Sequence, residues 1–111
     1  MNQYTPDNWV ILEIKIVKPT KKSLYKVLGG WSGGYLDGDS WRMNSGIVKV
    51  TREGDNYLFH GSSGSIYVCH KNGFGLRMNT TGIYQQLKDI YGEVVVLMDE
   101  DTDWINIDYP E

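Results

Sequence analysis

Residues 29–46 read G-G-W-S-G-G-Y-L-D-G-D-S-W-R-M-N-S-G, and the way this stretch pairs decides the fold. It carries glycine in excess, two of the tryptophans and a tight Asp37-Gly38-Asp39 turn between two strand-like runs. A hairpin turning at Gly38-Asp39 pairs Asp37 with Ser40, Leu36 with Trp41 and Val27 with Val50, so both arms join one apolar face. Gly29, Gly30, Gly33, Gly34 and Gly46 then lie within the arms, where a missing side chain permits a bulge or sharp coiling.

Toward the N-terminus, Val10, Leu12, Ile14 and Ile16 alternate with Ile11, Glu13, Lys15 and Val17, the period of a half-buried strand. A turn at 19–22 that pairs Lys18 with Ser23 brings Ile16 opposite Tyr25 and Ile14 opposite Val27. Toward the C-terminus, the Gly54-Asp55 turn pairs Glu53 with Asn56 and sets Val50 against Phe59 and Arg52 against Tyr57. The turn at 61–64 then aligns Phe59 with Ile66 and Tyr57 with Val68. A loop at 71–73 adds one more strand, with Val68 against Leu76 and Ile66 against Met78.

From Thr80 the period changes. Ile83, Tyr84, Leu87, Ile90 and Tyr91 recur at helical spacing, Asn79, Thr80 and Thr81 are candidate caps, and Gly92 suits the C-terminal end, so a helix is expected over about 81–91. The apolar run 94–98 reads as a strand covered on both faces, and the alternation over 104–109 as its hairpin partner. The expected fold is mainly β (α+β): a single domain over 1–111, a strongly coiled antiparallel meander forming a small, partly open β-barrel, one C-terminal helix and a final hairpin.

Composition agrees with this class. The chain has 111 residues, 41% hydrophobic, 13% aromatic and a formal charge of −3, which suits one globular domain and not a disordered or strongly basic chain. Cys69 is the only cysteine, which removes any intrachain disulfide and favours a reducing, cytoplasmic setting. No basic leader with an apolar core opens the sequence, and no apolar run reaches the roughly twenty residues that span a bilayer, so no membrane partner is expected.

Chemistry-bearing motifs are few. The glycines at 29–34 lead into a strand and not into a helix opened by Gly-Lys-Ser/Thr, so they do not make a phosphate loop. Asp99, Asp101 and Asp103 imitate the start of a calcium loop, but Trp104 stands where that loop requires glycine. His60, Cys69 and His70 are too spread along the strands to share a zinc ion, and neighbours Cys69 and His70 point to opposite faces. Neither a cofactor nor a catalytic set is expected, and a small hydrolase would have to gather Asp39, Arg42 and His60 in one pocket.

Two surfaces stand out. Lys15, Lys18, Lys21, Lys22 and Lys26 gather on the first hairpin, where they could grip a phosphate backbone or simply keep an edge soluble. Tyr35, Asp39, Trp41 and Arg42 sit at the tip of the glycine-rich hairpin, where amphipathic rings give contact area at low entropic cost. Trp31 falls on the core side, and Trp104 is a candidate lid.

The run from Gly29 to Ile47 resembles a segment of small uncharacterised proteins of tailed bacteriophages, marine ones included. The resemblance implies a viral, host-cytoplasmic setting and carries no activity. The leading expectation is a non-enzymatic binding module that engages a protein or small-molecule partner through hairpin 29–46, with homo-oligomers covering open edges. Nucleic-acid binding by the lysine hairpin is the alternative, and a hydrolase of unrecognised type the third reading.

Overall fold

A computed structural model describes residues 2–15, 23–34 and 38–109, with the backbone alone described at 32–34, 38–39 and 78–79. Its elements, in chain order, are β1 (Gln3–Tyr4), β2 (Asn8–Lys15), β3 (Ser23–Gly34), β4 (Gly38–Met43), β5 (Ile47–Glu53), β6 (Asn56–Gly61), β7 (Ile66–His70), α1 (Met78–Tyr91) and β8 (Val95–Leu97). The strands form two four-stranded sheets, ordered β1-β7-β6-β5 and β4-β3-β2-β8. The expected mainly β fold with one C-terminal helix is present, but the sheets stack and do not close into a barrel.

The crossing between sheets falls at the end of the glycine-rich stretch. β4 stays beside β3, with Leu28 opposite Met43 and Gly30 opposite Trp41, and the next strand, β5, belongs to the other sheet. Gly46 makes the change of direction at φ +145°, a backbone conformation that side chains rarely adopt. Asn44 fastens the corner: its N–H donates to the Val27 carbonyl at 3.1 Å and its Oδ1 accepts from the Val27 N–H at 2.9 Å. The long arm expected to carry Val27 to Val50 is therefore broken, and Gly38, expected in the turn, opens β4 opposite Gly34, while 35–37 lie outside the described residues.

The first sheet on one face and α1 on the other bury β2. Trp9, Ile11 and Val27 face the first sheet and pack with Ile47, Val50, Phe59, Tyr67, Cys69 and Trp104. Val10, Leu12 and Leu28 face the helix and pack with Ile83, Tyr84 and Leu87, together with Val95 of the edge strand. Layers therefore run sheet, sheet, helix, and each fully buried aliphatic side chain contributes about 1.5–3 kcal/mol. Because both faces of β2 are covered, its alternation does not set an inner and an outer side. The observed register places Val27 opposite Ile11, with Lys15 opposite Ser23, three residues away from the expected pairing. The expected turn at 19–22 lies outside the described residues.

Other expectations are corrected in the first sheet. Glu53 pairs with Asn56 and Val50 with Phe59 as expected. The next turn closes one residue later, through Gly61 N–H to the Ser65 carbonyl at 2.8 Å, so Phe59 faces Tyr67 and Tyr57 faces Cys69. That single-residue slip puts Tyr67 and Cys69, and not Ile66 and Val68, into the inter-sheet cluster, while Ile66 is still buried and Val68 is half-buried. The loop expected at 71–73 is a 3-10 turn, but the strand expected after it is replaced by an isolated bridge from Phe74 to Trp9 and by the start of the helix at Met78. β7 instead gains β1 as a parallel neighbour.

The helix begins three residues earlier than expected and ends where expected, at Gly92 with φ +62°. Thr80, fully buried, accepts the Arg77 N–H at 2.9 Å and the Asn8 amide at 3.2 Å, which pins the helix start to β2. The final hairpin is absent: Trp104–Asn106 is a 3-10 turn. Trp104 is 1% exposed and packs among Trp9, Phe59 and Phe74, so it is a core wedge and not a lid.

Candidate functional site

β4 is the edge of the second sheet, and among the described residues no strand pairs with its outer side. An antiparallel pair alternates residues whose backbone points into the ladder with residues whose backbone points away. Asn44 donates into β3, so by this alternation Arg42 also points inward while Trp41 and Met43 present N–H and C=O outward. Trp41 is 46% exposed, one of few large apolar side chains left open to solvent. An outward backbone ladder beside an exposed tryptophan is the geometry that accepts an added strand.

The expected hairpin site is only partly assembled. Tyr35 lies outside the described residues, and at Asp39 only the backbone is described. Trp41 and Arg42, as successive strand residues, point to opposite faces. Trp41 shares the helix-side face with Met43, whereas Arg42 shares the inter-sheet face with Gly29. The Arg42 guanidinium lies 4.4 Å from the centre of the Tyr4 ring and donates to the Tyr4 hydroxyl at 3.1 Å. Tyr4 in turn packs against Tyr67 at 5.2 Å and edge-on to Trp31 at 6.5 Å. Burial pushes the Tyr67 hydroxyl up to about 12, with the Arg42 charge pulling the other way. Trp31 is half-buried, and its indole N–H donates to the Thr5 carbonyl at 3.0 Å, which ties the hairpin to the N-terminal segment.

The other expected sets are dispersed. Lys18, Lys21 and Lys22 lie outside the described residues, while Lys15 and Lys26, opposite Ser23 and Leu12, fall on different faces of the second sheet. His60 is on the outer face of the first sheet, Nε2 3.1 Å from Thr51 Oγ1, and Arg42 is on the inter-sheet side of the other, so these two do not converge. Burial, reinforced by Lys49, lowers the His60 imidazole below its usual value. Cys69 is fully buried, and burial alone raises its thiol well above the usual range.

One concave feature was missed by sequence reasoning. A pocket of about 320 Å³ opens beside the 3-10 turn at Lys71–Gly73 and is lined by Trp9, Tyr57, Lys71, Asn72, Phe74, Glu100 and Trp104. Trp9 and Trp104 form its buried floor: their rings are 6.1 Å apart, and Phe74 meets Trp9 edge-on at 5.0 Å. The Trp9 indole N–H is satisfied by the His70 carbonyl at 2.7 Å. These residues come from distant parts of the chain, and no local pattern announces them. Comparison with protein-family models, with curated proteins and with solved structures finds no match.

Proposed function

We propose that this chain is a non-enzymatic interaction module that takes an extended segment of a partner protein onto the open edge of β4. The observation that carries the reading is the conjunction at Trp41 of an outward-facing backbone and an exposed indole on an edge strand. Main-chain bonds to Trp41 and Met43 would supply affinity, and the alternate faces would supply selectivity. An apolar partner residue fits the Trp41 side. An acidic one fits the Arg42 side, where the guanidinium has a tyrosine hydroxyl and no carboxylate beside it among the described residues. The likeness of residues 29–47 to small tailed-phage proteins would set this interaction in the host cytoplasm. A second copy of the chain is one candidate partner.

Selection of peptides from a displayed random library on the immobilised protein tests the reading, with light scattering of the free protein run alongside. Selected ligands, or the self-association, are expected to weaken at least five-fold with Trp41→Ala, about 1 kcal/mol, and further with Trp41→Lys, which places a charge on the edge. Ligands indifferent to both substitutions, from a protein that stays monomeric, would overturn it.

A further inference from the structure

The pocket beside Lys71–Gly73 makes no use of the β4 edge, and its chemistry points to a ligand of its own. We propose that it binds a small organic cation, an ammonium group carried on a flat apolar body. At about 320 Å³ it stands at the low end of the range for small-molecule sites. Its walls combine four aromatic rings with a carboxylate, and the negative face of an aromatic ring attracts cations. Trp9 and Trp104 are nearly inaccessible as floor residues, so the ring surfaces left for contact are those of Tyr57 and Phe74, both half-buried.

The charges favour a cation over an anion. Lys71 is already compensated, its Nζ 3.3 Å from Asp55 Oδ1. Glu100 has no ion pair or hydrogen bond among the described residues, so the uncompensated charge on the pocket wall is negative. Tyr57 already serves a cation of this chain: Arg52 Cζ lies 5.3 Å from its ring centre. Arg52 is not part of the pocket wall, which leaves the pocket side of that ring for a ligand.

Three probes of one shape separate the possibilities: 2-phenylethylammonium, neutral 2-phenylethanol and anionic 3-phenylpropionate. Each is titrated into the full chain and followed by indole fluorescence and by amide shifts around Tyr57 and Phe74. The ammonium is expected to bind tightest. Glu100→Gln should weaken it about five-fold, the value of one partly exposed ion pair. Lys71→Gln should tighten it, because it removes a like charge and frees Asp55. Both positions are exposed, so both variants keep the fold, and Trp41→Ala should leave the binding unchanged. Equal or tighter binding of phenylpropionate, loss of ammonium binding with Lys71→Gln, indifference to Glu100→Gln, or no saturable shift with any probe would each overturn the proposal.

Discussion

Gly46→Ala separates the observed fold from the continuous hairpin that the sequence suggests. In a regular hairpin arm, replacing glycine by alanine is neutral or stabilising, because glycine loses the most chain entropy on folding. At the crossing between β4 and β5 the outcome reverses. Gly46 holds φ +145°, and a Cβ there would stand 2.8 Å from Leu24 Cδ1. Rotation of the half-buried Leu24 side chain can relieve that approach, but no rotation relieves the backbone. The backbone cost is about 1–3 kcal/mol, and for a domain of this size about 4 °C of Tm per kcal/mol follows. Urea and thermal unfolding of the single variant, and of the same change in a Leu24→Ala background, measure both parts. A loss of about 4–12 °C is expected, with at least about 1 kcal/mol persisting when Leu24 is truncated. A neutral or stabilising Gly46→Ala, or a cost that vanishes with Leu24→Ala, would refute the crossing.

Asn44→Ala should cost about 1–3 kcal/mol, since it strands the buried Val27 N–H, and urea unfolding reads this directly. Stability should fall as pH rises between about 10 and 12. The unfolded chain loses the Tyr67 proton near the ordinary tyrosine value while the folded chain keeps it to about 12, and Tyr67→Phe should flatten the slope in unfolding midpoints. His60 should titrate by NMR below the usual imidazole value, and Lys49→Gln should bring it upward. Because folding disfavours its charged form, His60 contributes a loss of stability as pH falls below about 6.5. Cys69 should resist alkylation in the native protein and react only at the rate of unfolding, as measured by mass spectrometry.

What could be read in the sequence follows from how many competing pairings each segment allows. The β5–β6 turn at Gly54 offers one register that puts Val50 and Phe59 inside, and that register is found. The helix is legible because Ile83, Tyr84 and Leu87 keep one period, and Gly92 gives a stop. The turn between β6 and β7 is not, because Ile66-Tyr67-Val68-Cys69 is apolar on both sides and the serine-glycine loop closes equally well one residue later. In Trp9-Val10-Ile11-Leu12 the same ambiguity hides burial on two faces. Gly46 resembled the other glycines of its stretch, and only the sheet order shows that it turns the chain into a second layer. At the candidate edge, the exposure of Trp41 was foreseeable from its place on a glycine-rich hairpin, and its separation from Arg42 follows from strand alternation once the register is known. The aromatic pocket was not legible, since β2, β6 and the segments flanking α1 each supply part of it.

Amide hydrogen exchange along β4 tests the central claim most directly. The free protein should exchange the Trp41 and Met43 amides quickly and the Arg42 amide slowly, and a bound strand should protect the first two. Slow exchange at Trp41 and Met43 in the free protein, or a bound segment that leaves both unprotected, would contradict the assignment of this edge.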